Sequence, residues 1–238
     1  MSGKIGIPIL SLVVLLGGLI AFFVIKESAL QAQEKSPFKG VVMRLPEPEL
    51  ESQTSVERAL LKRRSVREYK EDSLSLEEVS QLLWAAQGIT AEWGGRTSPS
   101  AGALYPLEIY LMVGKVKGLK PGLYRYIPGK HSIVQTMEGD LRKKLSEASL
   151  DQDEIVNAPV NLVITAVYTM TMKKYEQRGI RYVHLEVGFA GENIYLQAES
   201  LGLGTVFIGA FEDEEVKKVL RIEEEPLGIM PVGKKVQD

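Results

Sequence analysis

The sequence contains no cysteine and only two histidines, His131 and His184, among its 238 residues. Without cysteine the chain cannot form a disulfide, a thiolate metal site, a cysteine nucleophile or an iron–sulfur cluster. Two histidines leave little for a histidine-based metal centre or a serine–histidine–aspartate triad. Hydrolase and zinc-enzyme functions are therefore disfavoured, and we expect no metal site.

The sequence also lacks an excess of charge of either sign. It has 29 lysines and arginines against 31 aspartates and glutamates, which gives a net charge of -2. Such a chain has no overall field that would attract nucleic acid, so we expect no nucleic-acid partner. Any anion-binding site must be built locally. The hydrophobic fraction of 45% is typical of a globular protein with a real core.

Residues 5–25 form an uncharged apolar run. As a helix this run would be about 31 Å long, which matches the hydrocarbon core of a bilayer. We interpret it as an uncleaved membrane anchor; a cleaved signal peptide is the alternative, with a mediocre cleavage site after Ala32. The sequence thus predicts a membrane-located protein with an anchor or signal peptide at 1–26, a linker at 27–54 and a globular domain at 55–238. The side of the membrane stays open because lysines flank both ends of the run.

The globular part alternates helices and strands without the regular spacing of βαβ units, which favours an α+β fold. Ser75 and Glu78 form a capping-box pattern before apolar residues at helical spacing, which predicts a helix that ends at Gly88. The β-branched run 160–168 predicts a central strand. Further helices are predicted from Ser55 and at 141–148, 179–201 and 213–220, and further strands at 107–113, 123–127, 205–208 and 227–232.

Three segments carry candidate site residues. Residues 63–67 place three arginines around a serine, and guanidinium groups donate paired hydrogen bonds to phosphate oxygens. Taken alone, this run would also suit a solvated basic surface. Residues 99–106, with the sequence PSAGALYP, are small enough for the backbone to approach a flat ligand. Residues 204–211, with the sequence GTVFIGAF, offer main-chain N–H groups beside apolar walls.

In this order and spacing, the three segments resemble the nitroreductase family of FMN-dependent oxidoreductases. The resemblance covers residues 55–233 and implies a mixed sheet flanked by helices, here preceded by one N-terminal transmembrane helix. It also implies FMN bound non-covalently at a homodimer interface. Gly188 and Gly191, inside the predicted helix 179–201, are consistent with close packing against a second subunit.

The resemblance also implies a role for each candidate residue. The flavin phosphate would be held by Arg63, Arg64, Ser65 and Arg67. The flavin ring would pack on Pro99, Ser100, Ala101 and Ala103. The backbone amide of Gly209, with Ala210 beside it, would lie near flavin N5. A fixed N–H donor at that atom would tune the reduction potential, because N5 takes up negative charge or a proton on reduction.

A narrower resemblance rests on PSAGALYPLEIYL, on the GLYRY strand and on Lys174-Tyr175 upstream of Arg181-Tyr182. It is similar to the SagB/ThcOx type of dehydrogenase, members of which oxidise thiazoline and oxazoline rings in peptides to azoles. The resemblance implies that Lys174 and Tyr175 are catalytic and serve the deprotonation that accompanies hydride transfer. Lysine can act as a base where burial lowers its pKa. The alternative is an exposed lysine next to a packing tyrosine.

Three functions stay open at this point. The first is a SagB-type dehydrogenase that acts on a small-molecule or peptidic substrate. The second is a nitro or quinone reductase that takes electrons from NAD(P)H. The third is a non-enzymatic flavin-binding membrane module. Lys174 and Tyr175 favour the first.

Overall fold

The computed structural model describes residues 42–236, and seven strands of this part form one sheet. The strand order is β1-β4-β3-β2-β5-β7-β6, and all six neighbouring pairs are antiparallel. The strands are β1 (Val42–Arg44), β2 (Leu107–Val113), β3 (Gly122–Ile127), β4 (Ser132–Glu138), β5 (Val160–Ala166), β6 (Leu203–Thr205) and β7 (Glu225–Lys234). We expected a mixed sheet, but all strand pairs are antiparallel. Among the described residues, parallel pairing occurs only in two isolated bridges, Ser65 with Thr205 and Leu74 with Val116.

Seven α-helices and two short 3-10 turns accompany the sheet within residues 42–236. The helices are α1 (Val56–Lys62), α2 (Leu76–Gln87), α3 (Arg142–Ala148), α4 (Asp153–Asn157), α5 (Tyr168–Tyr175), α6 (Arg178–Ser200) and α7 (Asp213–Leu220). The turns are Ala101–Ala103 and Pro128–Lys130. The predicted capping box is present: Ser75 Oγ accepts a hydrogen bond from the Glu78 N–H, and the Glu78 carboxylate accepts one from the Ser75 N–H.

The core lies on both faces of the sheet. Ile109 and Leu111 of β2 pack with α2 and α6 on one face, whereas Tyr110 and Met112 pack with α3, α4 and α7 on the other. This division follows from the period of two along a strand. All seven residues of β5 are buried, because β5 lies between β2 and β7 and is covered on both faces. The α+β prediction is confirmed, with helices on both sides of the sheet.

The structure differs from the predicted elements at several places. The run 160–168 is a strand only to Ala166, and α5 follows it. Strand β4 was not predicted, and β6 ends at Thr205, where the predicted strand began. Residues 42–54 fell in the predicted linker, yet Val42–Arg44 pairs with β4 and Leu45 is buried. These elements are decided by pairing and packing partners that are distant in sequence, which a local pattern does not contain.

The predicted fold class and localisation need correction. Both included a membrane-spanning helix, and no helix within residues 42–236 is long and apolar enough to cross a bilayer. The predicted anchor, residues 5–25, lies outside the residues that the structure describes. The predictions of a transmembrane element and of membrane localisation are therefore wrong for the described part of the chain.

Candidate active site

The arginine-rich segment runs from the end of α1 alongside β6. The N–H of Val66 donates to the carbonyl oxygen of Thr205 at 2.8 Å, next to the parallel bridge between Ser65 and Thr205. Gly204 permits this approach, because a Cβ at that position would lie 2.7 Å from Val66 Cγ1. Residues 63–67 are thus fixed beside the segment 204–211, and two of the three predicted segments lie together.

Tyr195 of α6 connects the same two segments. Its hydroxyl oxygen lies 3.1 Å from Ser65 Oγ and accepts a hydrogen bond of 2.7 Å from the Phe207 N–H. The Arg63 guanidinium lies over its ring, 4.9 Å from the centroid. Our sequence interpretation missed Tyr195, since an aromatic residue inside an amphipathic helix carries no signal that separates this role from core packing.

The three arginines of the segment differ in their surroundings. Arg64 Nη1 donates to two backbone carbonyls of its own segment, those of Leu61 at 3.1 Å and Arg63 at 2.7 Å. Arg67 is exposed and has a carboxylate oxygen of Glu154 at 3.4 Å. Arg63 has no carboxylate partner among the described residues. Arg63 and Arg67 are therefore the arginines best placed to bind an external anion, while Arg64 also braces the backbone.

Gly209 and Ala210, which follow Thr205 by four and five residues, present free backbone donors. Ile208 exchanges two hydrogen bonds with Ile229, and the Glu212 N–H donates to the carbonyl of the last residue of α3 at 3.0 Å. Between these anchors Gly209 and Ala210 are exposed. Their N–H groups make no hydrogen bond to any residue in the range 42–236. Exposed, unpaired N–H groups on an anchored backbone are suited to an acceptor atom of a bound ligand.

The PSAGALYP loop has an unusual backbone. Gly102, Ala103 and Tyr105 all have positive φ, at 64°, 55° and 50°. Two of them carry side chains, and such conformations cost free energy and cluster at functional sites. The Ser100 hydroxyl supports the loop by accepting a 2.8 Å hydrogen bond from the Tyr105 N–H. Pro99, Gly102 and Ala103 are exposed, so the loop presents small residues outward.

Glu186 of α6 forms a hydrogen bond with the backbone near the start of this loop. It is only 3% exposed, and its carboxylate accepts a 2.9 Å hydrogen bond from the Ala101 N–H, with the Ser100 side chain as a second partner. Burial raises the pKa of Glu186, and these hydrogen bonds oppose that shift. Glu186 is the second residue that sequence reasoning missed, because a single glutamate on a long helix resembles any surface glutamate.

Lys174 and Tyr175 lie directly over the PSAGALYP loop. A Cβ placed on Gly102 would be 2.7 Å from Lys174 Nζ and 2.8 Å from Tyr175 Oη. Lys174 is exposed, and the Tyr175 ring packs edge-on against Tyr182 with 5.0 Å between centroids. The structure therefore brings the predicted catalytic pair onto the predicted flavin-packing loop, at a glycine where a Cβ would displace both side-chain ends. Lys174 and Tyr175 are the last two residues of α5, a helix that was not predicted from the sequence.

The candidate site residues form two groups on opposite sides of α6. The arginine group consists of residues 63–67 and 204–211, and the loop group consists of the PSAGALYP loop with Lys174 and Tyr175. One group contacts the helix at Tyr195 and the other at Glu186, nine residues apart. Nine residues are two and a half turns, which is about 14 Å along the axis with the side chains on opposite faces. One chain thus brings Ser65 together with the Gly209 segment, and Gly102 together with Lys174, but it keeps the two groups apart.

The sequence model of the Nitroreductase family matches residues 60–234, and the chain belongs to this family of oxidoreductases. Proteins of the family generally use a flavin and are typically homodimers. A protein of Methanocaldococcus jannaschii that is named as a nitroreductase, MJ1384, is 49% identical over 198 residues, which are 83% of this chain and 100% of the relative.

Two further proteins are similar over a large part of the chain. A crystal structure named as a nitroreductase from Ralstonia eutropha superposes with a TM-score of 0.73 at 30% identity and covers 83% of this chain and 90% of that chain. The microcin B17-processing protein McbC of Escherichia coli is 25% identical over 134 residues, which are 54% of this chain and 49% of the relative. The chain therefore spans about half the length of McbC.

Proposed function

We propose that this protein is an FMN-dependent dehydrogenase of the SagB type, which oxidises a small-molecule or peptidic substrate by hydride transfer to flavin N5. The observation that carries the proposal is the position of Lys174 and Tyr175, which converge on Gly102 of the PSAGALYP loop. The similarity to McbC, a protein named for microcin B17 processing, supports a peptidic substrate.

The hydrogen-bond donors of residues 63–67 and 204–211 suit a flavin mononucleotide. Arg63 and Arg67 provide charged donors for a phosphate, and the Ser65 hydroxyl lies between them in sequence. The unpaired N–H groups of Gly209 and Ala210, four and five residues along the chain from Thr205, suit an acceptor atom at the edge of the flavin ring. A glycine at 209 suits a flat ligand, because a Cβ there would have no neighbour closer than 4.0 Å.

A homodimer would complete the site. The two groups of site residues lie on opposite sides of α6. We therefore propose that residues 63–67 and 204–211 of one protomer face the PSAGALYP loop of its partner. The exposed face of α6 supports this arrangement. Leu185 and Phe189 are 51% and 45% exposed, and a Cβ on Gly188 would meet nothing within 4 Å, so this face can receive another chain closely. Gly191 instead faces Phe207 of its own chain.

Oxidation of a ring to its aromatic form removes a hydride and a proton from the substrate. When bound, FMN would supply the hydride acceptor. Lys174 is exposed in the single chain, so the partner protomer and the substrate would have to bury it before its Nζ could take the proton. The Tyr175 hydroxyl would polarise the substrate atom beside it. The Gly209 and Ala210 N–H groups would stabilise the charge that develops on the cofactor. The loop with Pro99, Ser100, Ala101 and Ala103 would form the surface on which substrate and cofactor pack.

The experiment begins with the full chain and added FMN. We expect the protein to retain FMN through gel filtration and to sediment as a dimer. A chain that stays colourless and monomeric under saturating FMN would contradict the proposal.

Stopped-flow reduction of the bound FMN then separates the possible functions. Bleaching by a thiazoline-containing peptide but not by NADPH supports the dehydrogenase. Rapid bleaching by NADPH alone would identify a nitro or quinone reductase, and bleaching by neither would leave a flavin-binding protein without this activity. Lys174→Ala should abolish bleaching by the peptide, whereas Lys173→Ala, which removes an exposed lysine one residue earlier, should leave it unchanged.

A further inference from the structure

Gln152 lies in the turn between α3 and α4, and its side chain forms a hydrogen bond with the Gly209–Ala210 segment. Its Nε2 donates to the carbonyl oxygen of Ala210 at 2.8 Å and to that of Ser149 at 2.8 Å. An amide nitrogen has two hydrogens, so both are used. One hydrogen bond secures the side chain to its own turn and the other secures the backbone that carries the free donors.

The turn that carries Gln152 is itself rigidly placed. Leu150 and Asp151 are both left-handed, with φ of 59° and 58°. The Gln152 carbonyl accepts a 3.0 Å hydrogen bond from Ser146 Oγ, and Ser146 also accepts the Asp151 N–H at 2.9 Å through its carbonyl. Backbone strain of this kind persists only where the surrounding structure enforces it, and it clusters at functional sites.

Without Gln152 the Gly209–Ala210 backbone would be held only at its ends. Ile208 and Glu212 anchor the segment through the backbone, and Gly209 is free of the φ restriction that a side chain imposes. The hydrogen bond from Gln152 fixes the carbonyl of Ala210 within this interval. It therefore fixes the peptide between Ala210 and Phe211 and restricts the torsion angles of Ala210, which set the direction of the Ala210 N–H. The Gly209 N–H shares its peptide with the Ile208 carbonyl, which already accepts a hydrogen bond from the Ile229 N–H.

Helix α4, which begins directly after Gln152, contacts the arginine-rich segment 63–67. Glu154, two residues beyond Gln152, has a carboxylate oxygen 3.4 Å from the Arg67 guanidinium. Gln152 and the first turn of α4 thus contact the segment predicted to lie near N5 and the segment predicted to hold the phosphate, respectively. This placement distinguishes Gln152 from a glutamine that merely caps a surface turn.

We infer that Gln152 is a positioning residue, which orients the Ala210 N–H group toward the flavin and thereby raises its reduction potential. The inference rests on the proposed function, because it requires FMN at this site. A donor held in place stabilises the reduced flavin, which carries more negative charge, more than the oxidised flavin. Loss of Gln152 should therefore weaken the binding of reduced FMN selectively.

The test compares Gln152→Met with the wild-type full chain. Methionine keeps the length of the side chain but cannot donate. We expect the affinity for oxidised FMN to be nearly unchanged and the affinity for reduced FMN to fall about tenfold, which equals a potential about 30 mV more negative for a two-electron couple. Dye-equilibrated reduction measures the potential, and fluorescence titration measures the affinity for oxidised FMN. Gln53→Met, at an exposed glutamine, is the control and should not change the potential.

The outcomes separate the inference from the proposed function. Wild-type protein that binds no FMN overturns both. Wild-type protein that binds FMN while Gln152→Met keeps the wild-type potential overturns the inference alone, and a lower melting temperature at unchanged potential would assign Gln152 a structural role only. If Gln152→Met does not fold, Gln152→Leu provides the second variant. It has no donor and adds no charge, so it should also shift the potential to more negative values.

Discussion

Tyr195 and Ser65 are hydrogen-bonded across 130 residues of sequence, with 3.1 Å between their hydroxyl oxygens. The same Tyr195 hydroxyl accepts the N–H of Phe207. A single atom therefore joins the arginine-rich segment to the segment that presents the Gly209 and Ala210 amides. The spacing between the predicted phosphate end and the predicted N5 end of the site depends on this hydroxyl.

Replacing Tyr195 with Phe tests this connection. The variant leaves the partly buried Phe207 N–H without its acceptor, which costs about 1–3 kcal/mol. In a domain of this size, each kcal/mol lowers the melting temperature by about 2–4 °C. We expect lower thermal stability together with weaker FMN binding. Tyr182→Phe is the matched control, because the Tyr182 ring packs on Tyr175 while its hydroxyl bonds to none of the residues from 42 to 236. Equal effects of the two variants would contradict the connection.

The arginines of the segment should contribute unequally to cofactor binding. Arg63→Ala and Arg67→Ala each remove a charge-assisted contact of about 1.5–3 kcal/mol, so the FMN dissociation constant should rise about 10- to 150-fold. Arg64→Ala should have a smaller effect, because its guanidinium is engaged with the backbone carbonyls of Leu61 and Arg63. Fluorescence titration with FMN measures all three.

The control for these variants is Arg58→Ala, which removes the same charge from the exposed face of α1. It should bind FMN like the wild type. If Arg58→Ala weakened binding as much as Arg63→Ala, the effect would come from the overall positive charge of this region rather than from a phosphate site.

Much of the fold could be predicted because its signals are local. Strand β2 was predicted with its observed bounds, and the capping box of Ser75 and Glu78 marked the start of α2 correctly. Strand β4 and helix α5 were missed for the opposite reason. β4 is defined by its pairing with β1 and β3, and α5 by its packing on α6, and neither partner is visible in the segment itself.

The candidate site also contains parts that could be predicted from local sequence and parts that could not. The arginine-rich segment and the PSAGALYP loop were found as contiguous motifs, and the structure brings each to a partner segment. Tyr195, Glu186 and Gln152 were not found. Each is a single polar residue whose partner lies 130, 85 or 58 residues away, so only the folded chain gives it a role. The roles of the predicted site residues themselves stay predictions.

The stability of the fold should depend on pH through His131. Its Nε2 lies 2.7 Å from Ser80 Oγ and 2.9 Å from the Pro46 carbonyl, and its Nδ1 lies 2.9 Å from Tyr126 Oη. Burial lowers the pKa of His131, partly opposed by the Pro46 hydrogen bond and by Glu47. The folded protein therefore keeps this imidazole neutral at a pH where the unfolded chain already binds a proton.

The sign of the effect follows from this difference. The contribution of His131 is fully present above its unfolded pKa of about 6.5 and is lost as the pH falls from there through the folded pKa. Urea unfolding of the wild type should therefore show a steeper loss of stability with falling pH than unfolding of His131→Gln, which cannot titrate. Parallel pH profiles for the two proteins would show that His131 does not contribute.

Gly102 and Gly118 provide a matched pair for the proposed catalytic arrangement. Both have positive φ, at 64° and 76°, so alanine at either position introduces the same backbone strain of about 1 kcal/mol. Their surroundings differ: a Cβ at Gly102 would meet Lys174 Nζ and Tyr175 Oη, whereas a Cβ at Gly118 would meet nothing within 4 Å.

We expect Gly102→Ala and Gly118→Ala to lower the melting temperature by similar amounts, about 2–4 °C. Only Gly102→Ala should slow the reduction of bound FMN by the substrate, because its methyl group displaces Lys174 Nζ and the Tyr175 hydroxyl from the loop. Displacement of about 1 Å at a reacting centre can cost 100-fold in rate. Calorimetry measures the first effect and stopped-flow absorbance the second. If both variants reduced FMN at the wild-type rate, the convergence of Lys174 and Tyr175 on Gly102 would not be needed for the reaction.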